Sequence, residues 1–355
     1  MEIPVKNIYY LLCYAWDKLD EGEIKTVADS DYDSLLELFT RVLLNGCSNL
    51  FKRGLERNYI LRSEQYAGIK GKLIIGDSLK RNSFEHGSAV CEFDEFEVNT
   101  IHNQILKATL WRLYKTEGVP SELRQTLRYS FERFASVDHI ELSLRSFSGI
   151  KIHRNNANYD FLLKLCRLIY DSTVIEEQTG KYQFRDFVRD DFKMAALFEA
   201  FVRNFYRKHL VAEYKVTTPG IKWAAEPIEG SDLSMLPGML TDIVLESTTR
   251  KIIIDAKYYR EALKVNYERA RFYSPNLYQL YSYLRNTEAD LSNPLNASCE
   301  GILLYPVVEY ELDQTYKISG HLFSIKTVNL GGEWKEVERE LLRIIEIPTN
   351  PNSAY

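Results

Sequence analysis

Thr241-Asp242-Ile243-Val244-Leu245 and, thirteen residues after Asp242, Asp255 in Lys251-Ile252-Ile253-Ile254-Asp255-Ala256-Lys257-Tyr258-Tyr259 form the stretch from which the rest of the chain is read. Side chains alternate along a strand, so Ile252, Ile254 and Ala256 face one way while Asp255 and Lys257 share the other face, about 6.6 Å apart along the backbone. A short hairpin between the two segments sets Asp242 beside Asp255. Two carboxylates that close repel unless a proton or a cation stands between them. Oxygen ligands with no neighbouring histidine or cysteine favour Mg²⁺ or Mn²⁺ over zinc. Such an ion neutralises charge building on a phosphate and lowers the pKa of a bound water, which is the chemistry of phosphodiester hydrolysis. Lys257, aimed at the same cleft, would position that water and stabilise the transition state. A salt bridge at a strand end is the competing reading of a DxK triplet taken alone.

Outward from this hairpin, helical spacing predicts a helix over 191–209 before it and another over 275–284 after it. Extended segments are predicted near 213–224, 240–247 and 251–259, with strands near 301–308 and 321–329, giving the order α-β-β-β-α-β. Glu199 lies on an otherwise apolar stripe with Ala195, Val202 and Tyr206. A carboxylate there is costly unless paired or metal-linked, the alternative being a position at the edge of the core. On the later helix, Ser274 suits the N-cap and Pro275 the first turn. Leu277, Leu280, Tyr281 and Leu284 form its core stripe, so Gln279 points off it, toward phosphate, the attacking water or plain solvent.

The first half has a different texture. Helical patterns over 6–19 and 33–52 give way, from about Tyr59 to Phe96, to short apolar runs between Gly68, Gly71, Gly76 and Gly87, a small β-rich element. Helical spacing returns over 99–114, 121–135 and 159–172. A chain of 355 residues exceeds what one core organises. The polar run Glu176 to Lys181 places the boundary near 175–190, giving domains 1–180 and 181–355.

Composition excludes several classes. With 45% hydrophobic and 27% charged residues the chain reads as folded throughout. No apolar run approaches the roughly 20 residues that cross a bilayer. The N-terminus carries no signal pattern, which makes the cytoplasm the expected location. Five scattered cysteines, none in a CxxC pair, read as reduced thiols, and six dispersed histidines build no metal site. There is no GxxxxGK[ST] loop, so the chain is not expected to hydrolyse nucleotides alone. A net charge of −5 is unusual for an autonomous DNA binder, which leaves DNA contact to a partner or a local patch. One candidate patch runs from Lys251 to Arg271, with six basic residues against three acidic ones.

With Glu199 before and Gln279 after, Asp242 and Asp255-Ala256-Lys257 resemble the PD-(D/E)XK nuclease core. Thr241 stands where the motif's name puts proline, with Pro237 four residues earlier. More specifically, nearly the whole chain resembles the McrC family of nuclease subunits from McrBC-type, 5-methylcytosine-dependent restriction systems. The resemblance is carried by Ile3-Pro-Val-Lys-Asn-Ile-Tyr-Tyr-Leu-Leu-Cys-Tyr-Ala-Trp16, Gly68-Ile-Lys-Gly71, Asn103-Gln-Ile-Leu-Lys107, Asp255-Ala-Lys-Tyr-Tyr259, Asn276-Leu-Tyr-Gln-Leu280 and Thr327-Val-Asn-Leu-Gly331 with Trp334 behind it. It implies an α+β chain with an N-terminal partner-docking domain, whose β-rich insertion near 59–98 enters a pore, followed by a restriction-endonuclease-like domain. It also implies an McrB-like AAA+ GTPase hexamer that uses the GTP and reads double-stranded DNA carrying modified cytosine. The metal set it implies is Asp242, Asp255, the Ala256 carbonyl and Glu199, holding Mg²⁺ or Mn²⁺, with Lys257 and Gln279 catalytic. Two other readings compete: a catalytically degenerate GTPase-activating adaptor and a stand-alone DNA repair nuclease.

Overall fold

A computed structural model describes residues 3–17, 32–176, 179–258, 263–266, 269–307 and 311–346. The chain divides into two units, residues 32–186 and residues 1–31 together with 187–355. Helix α1 (Val5–Ala15) opens the chain and belongs to the second of these.

In the unit 32–186, α2 (Leu35–Arg53) starts where the Ser34 side chain accepts a hydrogen bond from the Glu37 N–H and stops at Gly54, whose φ is 91°. The glycine-punctuated stretch then forms β1 (Asn58–Ala67), β2 (Lys72–Leu73), the short α3 (Ile75–Lys80) and β3 (Ser88–Glu97). β1 pairs antiparallel with β3 from Asn58↔Glu97 to Ala67↔Ser88, and β2 takes the other edge of β3. α4 (Ile101–Lys115), α5 (Ser121–Glu132), α6 (Leu144–Ser148) and α7 (Ala157–Asp171) follow, then the hairpin β4 (Thr173–Ile175) and β5 (Tyr182–Phe184). α2, α4, α5 and α7 pack together as the core of this unit.

In the other unit, α8 (Asp191–His209) begins at Asp190, whose carboxylate accepts from the Phe192 and Lys193 N–H groups, and ends in Arg207, Lys208 and His209, opposite to the helix dipole. After it come β6 (Lys215–Thr217), β7 (Gly220–Ile221), β8 (Met239–Leu240), β9 (Ile243–Glu246), β10 (Lys251–Ala256), β11 (Leu263–Asn266), β12 (Arg269–Phe272), α9 (Ser274–Glu288), β13 (Glu300–Pro306), β14 (Asp313–Ile318), β15 (His321–Val328) and α10 (Trp334–Ile344). The main sheet has the order β14-β15-β13-β10-β9-β6, parallel where β13 meets β10 and β15 and antiparallel elsewhere. This is a mixed α+β architecture. The pairing of β7 with β8, the hairpin β11–β12, strand β14 and helix α10 were not expected from periodicity; most are too short to show one.

Two placements depart from the expected organisation. Sequence order assigns α1 to the N-terminal domain, yet it packs on α8. Tyr10 stacks on Trp334 with ring centroids 4.5 Å apart, and Tyr14 donates to Glu338 Oε1 at 3.0 Å. Asn7 Nδ2 donates to the Leu330 and Gly332 carbonyls at 2.7 and 2.9 Å. The second departure is in α9, which starts at Ser274 rather than after it and runs on to Glu288. Its buried face carries Leu280, Tyr283 and Leu284, with Tyr281 turned outward. α9 lies close against β13: a Cβ on Gly301 would stand 2.9 Å from Leu284 Cδ1 and 3.0 Å from Leu280 Cδ2.

All five cysteines are buried free thiols. Among the described residues no helix is long and apolar enough to cross a membrane. Of the expected basic patch, Arg260, Glu261 and Glu268 lie outside the described residues. Lys251 is held by Glu246 at 3.0 Å and by Asn296 at 2.7 Å, which takes it out of a free phosphate-binding surface.

Candidate metal centre

The centre is built where the sheet's central antiparallel pair runs out. β9 and β10 pair in the register Ile254↔Ile243, and one further step of that register sets Asp255 opposite Asp242. Hydrophobic burial drives this placement. Ile252 and Ile254 on one face and Ile253 on the other are all buried, so a strand with no freedom to slip carries Asp255 into the interior, where it is 0% exposed. Asp242, in the bend before β9, closes the gap: its Oδ2 accepts the Ala256 N–H at 2.9 Å. Lys257 Nζ donates to Asp255 Oδ1 at 2.9 Å and stands 4.0 Å from Asp242 Oδ2.

One atom in this group lacks what burial demands. Among the described residues no donor reaches Asp255 Oδ2, which is buried. An unpaired buried carboxylate oxygen costs several kcal/mol unless it is protonated or ligated. Burial, then the neighbouring Asp255, push the Asp242 carboxyl up to about 6, against Lys257 and the Ala256 N–H, which pull it down. Burial also raises Asp255, opposed mainly by Lys257. One ammonium does not neutralise two packed carboxylates, and a divalent cation would.

Glu199 is not gathered with them. Its Oε1 accepts from Arg203 Nη1 at 2.9 Å, one helical turn along α8. Among the described residues no group of three or more His, Cys, Asp or Glu side chains stands close enough to hold an ion. α9 packs on the Ile253 face of the sheet, and on α8 the neighbouring Phe198 ring stands 6.2 Å from that of Tyr258. Glu199 still feels the centre: burial first and Asp242 second raise its carboxyl.

Gln279 is exposed on α9 and its Nε2 donates to the Tyr283 hydroxyl at 2.9 Å. The Tyr283 hydroxyl in turn donates to the Leu240 carbonyl at 2.9 Å, two residues before Asp242. Sequence reading missed Tyr283. The available signal was its spacing, since four residues from Gln279 puts both on one side of the helix.

A family model described as McrBC 5-methylcytosine restriction system component matches residues 6–306. The chain is 33% identical over 344 residues to the "Type IV methyl-directed restriction enzyme EcoKMcrBC" of Escherichia coli (strain K12), covering 97% of each. In fold it is similar to a chain from a solved half-complex of the tetradecameric assembly of Thermococcus gammatolerans McrB AAA+ hexamers with bound McrC. That match has a TM-score of 0.58 at 16% identity and covers 96% of this chain and 76% of the other.

Proposed function

The chain belongs to the family of McrBC 5-methylcytosine restriction system components, and from that premise we propose that it is the DNA-cutting subunit, a metal-dependent endonuclease that acts with an AAA+ GTPase ring. The observation that carries the reading is the orphaned Asp255 Oδ2, buried beside Asp242 with an ammonium group next to both. The donor set fits a hard divalent ion, Mg²⁺ or Mn²⁺: two carboxylates, with the Ala256 carbonyl at the strand end and neither thiolate nor imidazole. When bound, such an ion would supply charge neutralisation at the scissile phosphate and a more acidic water.

The chain's own residues do the rest. Asp242, anchored by the Ala256 N–H, and Asp255, locked in the sheet core, present oxygens that cannot retreat from one another. Lys257 is tethered two residues from Asp255 and directs its ammonium into the same space, where it would hold the attacking water and offset charge on the phosphate. Glu199 would join only after leaving Arg203.

The ring partner is read from the Thermococcus gammatolerans assembly, in which McrB forms AAA+ hexamers with McrC bound. The β1–β3 ribbon supports an insertion into such a pore, because it leaves Tyr59, Leu61, Tyr66, Ile69 and Phe96 exposed. The proposed division is that the partner uses GTP and recognises modified cytosine in double-stranded DNA, while this chain raises GTP turnover and cuts.

In the reconstituted complex with a modified plasmid, Asp255→Ala or Lys257→Ala should abolish cutting and leave partner binding and GTPase stimulation intact. Cutting retained by both variants would overturn the site. A wild-type complex that stimulates GTP hydrolysis but never nicks with Mg²⁺ would favour a degenerate adaptor. Cleavage without GTP or partner would favour a stand-alone nuclease.

A further inference from the structure

Asp242 belongs to no regular strand. It sits in the bend between β8 and β9, so its direction is set by how the two residues before it are held. Thr241 is held on one side, where both its N–H and its hydroxyl donate to the Pro219 carbonyl, at 3.3 and 2.8 Å. Leu240 is 72% exposed, so little packing holds it. Apart from its ladder pairing with Gly220, its backbone is held through its carbonyl, which accepts the Tyr283 hydroxyl at 2.9 Å.

Tyr283 is well placed to be rigid. Its ring is buried in the core with Met239, Val244, Ile253, Leu280 and Leu303. Its hydroxyl oxygen accepts the Gln279 amide at 2.9 Å. A phenol has one hydrogen to give, and an amide donor on its oxygen turns that hydrogen away, toward Leu240. The helix carrying both residues is itself pinned, since α9 approaches Gly301 too closely to slide. Gln279, Tyr283 and the Leu240 carbonyl thus form a strut from a fixed helix to the bend that aims Asp242.

We propose that Tyr283 is a positioning residue for Asp242, and that Gln279 acts through Tyr283, fixing the direction of its hydroxyl hydrogen, and not on DNA or water. This rests on the metal-nuclease reading above. Three substitutions separate the roles. Tyr283→Phe removes the strut. Gln279→Glu keeps the size but replaces the donor with an acceptor, which draws the hydroxyl hydrogen away from Leu240. Gln279→Leu removes the donor while leaving Tyr283 free to hold Leu240.

The readouts are the Mg²⁺ concentration giving half-maximal cutting by the reconstituted complex, and Mn²⁺ binding to the full chain followed by electron paramagnetic resonance. Tyr283→Phe and Gln279→Glu should each raise the Mg²⁺ requirement about fivefold to tenfold, the worth of one hydrogen bond, and weaken Mn²⁺ binding in parallel. Cutting at saturating metal should stay within about threefold, because Asp255 and Lys257 are untouched. Gln279→Leu should change the requirement less than about threefold. Wild-type metal dependence in both Tyr283→Phe and Gln279→Glu would overturn the strut. A Gln279→Leu variant as impaired as Gln279→Glu would overturn the claim that Gln279 works through Tyr283. Asp255→Ala is run beside them: if it cuts like the wild type, the metal site itself is wrong, whereas its loss together with a normal Tyr283→Phe condemns the strut alone.

Discussion

Two carboxylates forced together by a sheet register must share a proton or a cation, and pH tells which. The ordinary value for Asp242 is 3.8 and its folded value is about 6. Between those values the folded chain holds a proton that the unfolded chain has released, so metal-free stability falls as pH rises through that window, by on the order of 1–3 kcal/mol. Mn²⁺ or Mg²⁺ should therefore raise the unfolding temperature more at pH 7.5 than at pH 5, where protons compete for the same oxygens. Asp242→Asn should raise the metal-free unfolding temperature at pH 7.5 and erase most of the metal increment, as followed by thermal denaturation. An equal increment at both pH values and in the variant would place the ion elsewhere. The shared face of Asp255 and Lys257 was legible in sequence because strand alternation is a strict period of two and the isoleucines fix its phase, and the expected hairpin brought Asp242 beside them. Tyr283 was not, because Tyr281 and Tyr283 fit an apolar stripe almost equally well and only the sheet beneath chooses between them. For Glu199 the signal was present: Arg203, four residues on, offered a partner other than metal.

The β1–β3 ribbon poses the opposite problem, an element with too little core rather than too much charge. Two long strands with only the two-residue β2 on their other edge are marginal by themselves, and this ribbon leans on contacts across it. Tyr59 meets Phe96 with centroids 5.1 Å apart, Arg62 binds Glu97 at 2.7 Å, and Lys70 sits 3.9 Å over the Phe93 ring. Gly71 lets the chain return beneath β3, since at its φ of 70° a Cβ would lie 2.5 Å from the Glu92 carbonyl oxygen. These contacts shape the ribbon and leave Leu61 and Ile69 bare, at 60% and 72% exposure. Leu61→Asp and Ile69→Asp should thus change stability by less than about 0.5 kcal/mol. GTPase stimulation of the ring should nevertheless drop about tenfold or more, since a charge would have to be buried in the docked state. Unfolding curves and GTP turnover at fixed partner concentration check both halves, and undiminished stimulation would remove the ribbon from the interface. Glycine punctuation made the ribbon visible in sequence. The six-residue α3 at its end was hidden, being too short for a helical period to register.

At the scale of the molecule, chain order and spatial order disagree, and that sets how the protein can be divided. A cut at the polar run before α8 looks natural from sequence, because nothing in local periodicity reports that α1 packs on a helix almost two hundred residues away. The contacts are specific: the Asn7 amide satisfies two carbonyls beyond β15, and the Tyr14 hydroxyl lies 2.8 Å from His209 Nε2 and 3.0 Å from Glu338 Oε1. Removing α1 uncovers Phe201, Phe205 and Trp334, against which Tyr14 packs, and leaves the Leu330 and Gly332 carbonyls without the Asn7 amide. A fragment of residues 181–355 should therefore unfold well below the full chain or aggregate, with Trp223 and Trp334 fluorescence as the probe, and a peptide of residues 1–17 added in excess should raise its transition. In the full chain, Asn7→Ala alone should cost about 1–3 kcal/mol, because the lost amide strands the buried Leu330 carbonyl and the half-buried Gly332 carbonyl. Because the same unit carries Asp242 and Asp255, the candidate metal ligands, weakened α1 docking should also raise the Mn²⁺ concentration needed to stabilise the fragment. A fragment that melts with the full chain and ignores the peptide would mean that α1 merely rests on this unit rather than completing it.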